Sequence, residues 1–225
     1  MSEFLHFSEH TLQEVALGFM ALVYTTRIVW FLRFKAGRER QAATGPAYTT
    51  PARGILYSWA NVAMPWAMES TRRHYLIYAQ FVVFHLGVTA AITLSFIIPY
   101  GPELLESRAF VLIVQIIIGA AFLVGVLRFI RRASDPYMRA ISSPDDYFSL
   151  TLLTVWFFFA VLAVPNQTSQ GEWHLLGFFI LTAFFLVYVP FSKISHYLYY
   201  PFTRYYLGKT MGYRGVYPVR RTQRV

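Results

Sequence analysis

Five apolar segments, each long enough to cross a lipid bilayer, constrain this chain more than any other feature. A membrane-spanning helix needs about 20 mostly apolar residues, and it satisfies its own backbone hydrogen bonds in lipid. The composition agrees, because 56% of the 225 residues are hydrophobic and only 14% are charged. The sequence therefore predicts an all-α integral membrane bundle of five transmembrane helices, near residues 11–32, 76–99, 109–130, 147–165 and 173–196.

The basic residues indicate how the helices are oriented. They concentrate in segments 33–73 and 128–139 and after residue 192, whereas Arg108 is the one basic residue expected on the other side. Because Lys and Arg accumulate in cytoplasmic loops, we expect the N-terminus outside and the C-terminus in the cytoplasm. We place a five-helix membrane domain at residues 1–200 and a basic cytoplasmic tail at residues 201–225.

Two local patterns refine this organisation. Ser143, Pro144, Asp145 and Asp146 precede the fourth span and are typical of a helix start, with an N-cap, a proline and two carboxylates in the first turn. Segment 54–68 contains Trp59 and Trp66 and is expected to lie in the membrane interface. This segment and the basic tail suit either a soluble cytoplasmic partner or lipid headgroups.

The chain contains no cysteine, which limits its redox chemistry. Disulfides, c-type haem attachment, iron–sulfur ligation and cysteine-based zinc sites are excluded. Any redox centre must therefore be held by His or Met, or be a bound organic molecule. The formal net charge of +9 follows the loops on one side of the membrane, which does not favour nucleic acid as a partner.

The six histidines differ in their surroundings. His6, His10 and His74 lie in polar segments and are interpreted as surface residues. His85 lies within the second span, without a polar neighbour until Thr89. An ionisable side chain in a membrane span is costly and is a functional hypothesis by default. Two interpretations remain open for His85, namely an axial haem ligand or a neutral imidazole that is hydrogen-bonded to another helix.

A second haem ligand must lie at a depth similar to that of His85. His174 and His196 stand at the two ends of the fifth span, about 33 Å apart if the helix is continuous. By helical rise, His196 differs from His85 in depth by about 9 Å, which a tilt or a kink at Pro190 could absorb, whereas His174 differs by about 25 Å. We therefore pair His85 with His196 and leave His174 without a partner.

Two motifs carry a resemblance to a known family. The stretch "RRASDPYMRAISSPDD" leads into the fourth span, and "PFSKISH" ends the fifth. Together with five spans and a histidine in the second, they resemble the gamma subunit of respiratory nitrate reductase and related membrane cytochromes b of sulfate reducers and heterodisulfide-reductase-like complexes. The loop "MPWAMESTRRHY" and the length look most similar to the short cytochrome b subunits of the Tmc and Hmc complexes.

The resemblance implies a particular haem content. In that family the second and fifth spans each supply two histidines, for an inner and an outer haem b. His85 and His196 match the inner pair. For the outer pair, residues 95–98 offer no ligand and Phe178 stands in place of the fifth-span histidine. The resemblance thus implies one haem b near the cytoplasmic face, with Arg128, Arg131 and Arg139 as candidate partners of its propionates. Alternatively, these arginines only mark the topology.

The resemblance also implies a role in respiration. The chain would be an electron-transfer subunit of a quinone-linked oxidoreductase in the cytoplasmic membrane of a bacterium or archaeon. It would pass electrons between menaquinone or another quinone and a cytoplasmic iron–sulfur subunit of the heterodisulfide-reductase type, with a periplasmic multihaem cytochrome c as a further partner. His174, beside Trp173 and Glu172, is either a remnant of a quinol site or an interfacial histidine.

Two other functions compete with this one. A haem-free membrane anchor for a soluble redox complex would keep the basic loops but would not need a buried histidine. A transporter or channel more often carries Asp, Glu or Lys near the membrane midplane, and the five spans contain none there. Arg27 lies near the end of the first span and can extend to the interface.

Overall fold

The computed structural model describes residues 2–34, 37, 40, 42–67, 69–169 and 171–219. Within these ranges the chain is helical and forms no β-strand. The α-helices, in chain order, are α1 (Glu3–Glu9), α2 (Thr11–Arg33), α3 (Pro51–Ala60), α4 (Glu69–Arg73), α5 (Tyr75–Tyr100), α6 (Arg108–Ser134), α7 (Pro136–Ala140), α8 (Pro144–Ala163), α9 (Trp173–Tyr188) and α10 (His196–Tyr213).

Five helical segments are long and apolar enough to cross a membrane, as predicted. They are Glu3–Arg33, Tyr75–Tyr100, Arg108–Ser134, Pro144–Ala163 and Trp173–Phe191. The first is α1 and α2 in succession, so that helix formation begins well before the predicted residue 11. The all-α membrane fold is therefore confirmed, and the chain is a multi-pass membrane protein.

The predicted start of the fourth span is also confirmed. Ser143 is the N-cap of α8, and Pro144 is its first residue. The Asp146 carboxylate accepts hydrogen bonds from the backbone N–H and the hydroxyl of Ser143, both at 2.8 Å. These contacts satisfy a donor at the helix start, where backbone N–H groups have no partner within the helix.

The fifth span is shorter than predicted. We expected one helix from 173 to 196, but α9 ends at Tyr188 and is followed by the 3₁₀ turns Val189–Phe191 and Lys193–Ser195. Pro190 has no backbone N–H and clashes with the preceding turn, which ends the α-helix although the sequence stays apolar. The value of about 33 Å between His174 and His196 assumed a continuous helix to residue 196, and α9 does not extend that far.

The contacts divide the chain into two compact units. The first contains Met1–Arg27 and Ala79–Ile194, and the second contains Ile28–Tyr78 and Ser195–Val225. In the first unit α8 packs against both α6 and α9. Phe157 and Phe178 are fully buried there, and the indole N–H of Trp156 donates to the Thr182 hydroxyl at 2.8 Å.

In the second unit, α3 packs closely against α10 through glycines. A Cβ atom on Gly54 would overlap the backbone of Gly208 and Gly212, and one on Gly212 would overlap the Thr50 carbonyl. The backbones can approach this closely only where side chains are missing. The indole N–H of Trp59 also donates to the Pro201 carbonyl at 2.9 Å. The domain boundary predicted at residue 200 falls inside α10.

Candidate functional site

The side chain of His85 has a defined tautomer. It lies on α5 and is exposed on the surface of the chain, and its Nδ1 atom is 2.7 Å from the Phe81 carbonyl oxygen one turn earlier. Because a carbonyl can only accept, Nδ1 must carry the proton, which leaves the lone pair of a neutral imidazole on Nε2. Histidines that bind metals commonly donate their other ring N–H to a carbonyl in this way. The geometry therefore fits an axial ligand that binds iron through Nε2.

Two residues next to His85 contact other helices of the first unit. Phe84 is buried, and its ring meets the Phe157 ring edge-on at 5.2 Å. Gly87 lies against Ala121 of α6, so closely that an added Cβ would overlap the Ala121 methyl. His85 is therefore an exposed residue between Phe84 and Gly87, which contact α8 and α6.

The three arginines predicted as propionate partners occupy different environments. The Arg128 guanidinium lies over the Phe84 ring, 5.3 Å from its centroid, and so contacts the residue next to His85. Arg131 lies further along α6 and Arg139 lies on α7, and both are exposed. Arg128 thus contacts the His85 segment within the first unit, and the role of all three arginines stays a prediction.

His196 is the first residue of α10, with Ser195 as its N-cap residue. It is exposed, and its ring meets the Tyr197 ring edge-on at 6.5 Å. His85 belongs to the first compact unit and His196 to the second. The pairing of these two histidines on one iron therefore stays a prediction.

His174 has the most enclosed imidazole that the structure describes. It is the second residue of α9 and only 8% exposed, and the neighbouring Trp173 ring meets it edge-on at 5.6 Å. Within the described ranges no hydrogen bond reaches its ring. It lines a cleft together with Leu162, Pro165, Gln167, Ser169 and Trp173. Whether His174 is a remnant of a quinol site or an interfacial histidine stays a prediction.

The N-terminus is attached beside this cleft. The Ser2 hydroxyl and the Ser2 backbone N–H both donate to the Glu172 carboxylate, the backbone bond at 2.7 Å. These hydrogen bonds, that from the hydroxyl first, hold the pKa of Glu172 below its ordinary value of 4.5. Further along, the Gln13 amide donates to the Phe179 carbonyl at 2.7 Å. The first two helices are thus fixed to α9 at two points.

Several titratable groups at the start of the first span were missed by sequence reasoning. Glu9 is only 6% exposed, and His10 meets the Tyr100 ring edge-on at 5.6 Å. The Tyr100 hydroxyl donates to Glu14 at 2.9 Å. The sequence shows these residues as an ordinary polar segment, because the helix that buries Glu9 precedes the apolar run. Among the described residues, His, Asp and Glu form no group of three or more that could hold a metal ion.

Comparison with known proteins finds one relative that covers most of the chain. A protein of Nitratidesulfovibrio vulgaris, described only as "Protein", is 25% identical over 189 residues, which span 81% of this chain and 82% of its own length. No family model matches the chain. No solved structure matches it either.

Proposed function

We propose that the chain is the haem b membrane subunit of a respiratory redox complex, passing electrons between the quinone pool and a cytoplasmic iron–sulfur subunit. The observation that carries this proposal is the His85 tautomer, with Nδ1–H donated to a carbonyl inside an apolar span. An Nδ1–H that is donated to a backbone carbonyl is the arrangement that metal-binding histidines commonly show. The Nitratidesulfovibrio relative loosely supports an origin among sulfate reducers.

His85 and His196 are the proposed axial ligands of one haem b. A bis-imidazole haem b supplies reversible one-electron transfer at its iron, and the protein sets the ligands, the spacing and the dielectric. His85 offers its Nε2 lone pair because the Phe81 carbonyl holds the Nδ1 proton. Arg128, Arg131 and Arg139 are the proposed partners of the propionates, and Arg128 contacts the segment of His85 through Phe84.

The His174 cleft is the proposed quinone site. Its lining combines a buried imidazole and an indole with the amide of Gln167 and the hydroxyl of Ser169. An imidazole can donate a hydrogen bond to a quinone carbonyl or accept a proton from a quinol hydroxyl. The exposed and polar mouth of the cleft would let that proton leave to water. Menaquinone is the quinone that the family resemblance implies.

The proposed orientation has the N-terminus outside and the basic loops inside a bacterial or archaeal cytoplasmic membrane. In this arrangement, α3 and α10 would meet the cytoplasmic iron–sulfur partner, and the outer face would meet a periplasmic multihaem cytochrome c. A reporter protein fused after the C-terminus tests the orientation. We expect cytoplasmic activity only, and periplasmic activity would contradict the assignment of partners to faces.

Individual histidine replacements test the proposed ligands. We expect His85→Ala and His196→Ala each to abolish the low-spin bis-imidazole spectrum, because an iron with one imidazole cannot keep it. His174→Ala should retain the haem spectrum and reduction by an artificial donor but lose quinol-dependent turnover. His74→Ala, at an exposed histidine outside the spans, is the matched control and should change neither property.

Each alternative outcome has a distinct meaning. A normal haem spectrum in His196→Ala would contradict the pairing of the two histidines. Loss of haem in His174→Ala would show that His174 is a ligand. Wild-type protein without any haem would favour a membrane anchor or scaffold for a soluble redox complex.

A further inference from the structure

The helix pair α3 and α10 of the second unit exposes apolar side chains beside one another. Trp59 on α3 is 45% exposed, and the centroid of its ring lies 6.4 Å from that of Tyr205, which is 37% exposed. Leu56, one turn before Trp59, is 66% exposed. Lys209, one turn after Tyr205, is exposed as well. Residues three or four apart are neighbours on a helix surface, and we call these four residues the Trp59 face.

The exposed part of Trp59 is apolar. Its indole N–H is the one polar group of the side chain, and it donates to the Pro201 carbonyl at 2.9 Å. The polar atom is thus satisfied within the second unit, and the ring carbons are left uncovered. Contact with lipid or with another apolar surface stabilises such a ring more than contact with water does.

The bilayer is within reach of this helix pair. α3 lies between the first and the second span, and α10 follows the fifth. Four crossings separate the two segments along the chain, and an even number of crossings leaves both on the same side of the membrane. α10 begins five residues after the fifth span ends at Phe191, and five residues extend over about 18 Å at most. The first turn of α10 therefore lies close to the bilayer surface.

The charges of the second unit favour an anionic surface. Its residues include 13 Lys and Arg but only two Asp and Glu. Lys209 continues the Trp59 face, and a lysine can lay its methylene groups on an apolar surface while its ammonium reaches a phosphate. Trp and Tyr are enriched where a bilayer meets water. An apolar aromatic surface with basic residues is typical of helices that lie in the membrane interface.

We propose that the Trp59 face binds the surface of a bilayer that contains anionic phospholipid. Leu56 and the two aromatic rings contact the upper part of the acyl chains, and Lys209 contacts lipid phosphate. Lipid then covers this side of the helix pair, and a soluble partner meets the pair elsewhere. This inference does not depend on the haem or the quinone assignment.

Spin labels measure whether the face enters lipid. The chain has no cysteine, so Leu56→Cys places a single nitroxide on the Trp59 face of the full-length protein. The matched control is Thr203→Cys, at an exposed position of α10 two residues before Tyr205 and therefore on another side of the helix. In vesicles of phosphatidylcholine and phosphatidylglycerol, collisions of the label with oxygen, which concentrates in lipid, are compared with those of a water-soluble nickel chelate. We expect the label at residue 56 to favour oxygen and the label at residue 203 to favour the chelate.

Lys209→Gln tests the anionic component. One basic residue near an anionic membrane surface changes the binding equilibrium by about fivefold. With phosphatidylglycerol present, Lys209→Gln in the Leu56→Cys protein should therefore lower the ratio of lipid-buried to water-exposed label by about fivefold. In phosphatidylcholine alone it should leave the ratio unchanged. Arg108→Gln, at an exposed arginine of the first unit, is the control and should leave the ratio unchanged in both kinds of vesicle.

Two outcomes would overturn the proposal. A label at residue 56 that stays open to the nickel chelate in both kinds of vesicle would show that lipid does not cover the face, and would favour a protein partner there. An equal effect of Lys209→Gln with and without phosphatidylglycerol would show that Lys209 supports the helix pair and does not recognise anionic lipid.

Discussion

Gly87 offers a direct test of how closely the His85 helix packs in the first unit. A Cβ atom on Gly87 would overlap the Ala121 methyl on α6, whereas its next neighbours, the Ala121 Cα and the Ile117 carbonyl oxygen, would lie at an ordinary 3.6 Å. The clash in Gly87→Ala therefore involves one methyl group. Helices α5 and α6 must separate to accept it, because the Ala121 methyl cannot rotate away from its own backbone.

The expected cost follows from two opposing terms. Overpacking a well-packed contact costs about 1–3 kcal/mol. Replacing glycine by alanine within a helix contributes about 1 kcal/mol in favour of folding. Gly87→Ala should therefore lower the free energy of unfolding by about 0–2 kcal/mol. Gly119→Ala on α6 is the control, because its Cβ would meet only Val161, at 4.0 Å, and it should raise that free energy by up to about 1 kcal/mol.

The compensating variant makes the test decisive. Gly87→Ala combined with Ala121→Gly moves the methyl group from one helix to the other and removes the clash. Unfolding of the purified protein in mixed micelles, followed by circular dichroism as the SDS fraction rises, gives the four free energies of the double-mutant cycle. We expect the double variant to return to within about 0.5 kcal/mol of wild type. A single variant as stable as Gly119→Ala, or a double variant that remains destabilised, would refute the close contact.

Three further predictions concern other parts of the first unit. Hydrogen bonds from Ser2 lower the pKa of Glu172 in the folded state. Their contribution to stability is therefore fully present above pH 4.5, the ordinary pKa, and is lost as the pH falls through the lower folded pKa. A spin label on Phe4→Cys should become more mobile over that pH range, and Glu172→Gln should abolish this change. Thr182→Val removes the acceptor of the buried Trp156 indole N–H and should lower the free energy of SDS unfolding by about 1–3 kcal/mol. The control is Thr26→Val, whose exposed hydroxyl donates to the Leu22 carbonyl of its own helix. It should lower that free energy by less than about 0.5 kcal/mol. His174→Gln should weaken binding of a quinone analogue about tenfold, as measured by quenching of Trp173 fluorescence, and should leave the haem spectrum unchanged; unchanged quenching would contradict the cleft as the quinone site.

The membrane-spanning helices could be predicted because apolar length alone identifies them. Their ends depend on chemistry that average hydropathy does not detect. The fourth helix begins where Ser143 and Pro144 indicate, because N-cap and proline preferences are local. The fifth ends early at Pro190 although Phe191 and Ile194 keep the sequence apolar, because the missing N–H matters more there than hydrophobicity.

The pairing of α3 with α10 could not be predicted from periodicity. Most of the chain separates these helices, and the sequence predicted only an interfacial segment at 54–68 and a basic tail at 201–225. The signal that was available is the spacing of small residues, with Gly208 and Gly212 four apart on α10 and Gly54 and Ser58 four apart on α3. Small residues at this spacing let helix backbones approach closely, but the partner helix is known only from the structure.

For the candidate site, the sequence identified which residue types stand out, but it did not predict what surrounds them in the fold. His85 stands out because an ionisable residue in an apolar run is unusual, yet its tautomer depends on the Phe81 carbonyl. The burial of His174 and Glu9 was not predicted, because it arises from the packing of α1 against α9 and from the loop after α8. The contact of Lys193 with Asp146 was not predicted either, because it joins two segments that lie 47 residues apart in the chain.

The haem content of the purified wild-type protein tests the central claim most directly. Pyridine haemochrome analysis of the full-length chain, with the protein concentration from amino-acid analysis, gives the number of b haems per chain. The proposed function predicts one haem b, with the low-spin spectrum of two imidazole ligands. Two haems would show that a ligand other than His85 and His196 serves an outer site, and no haem at all would contradict the account.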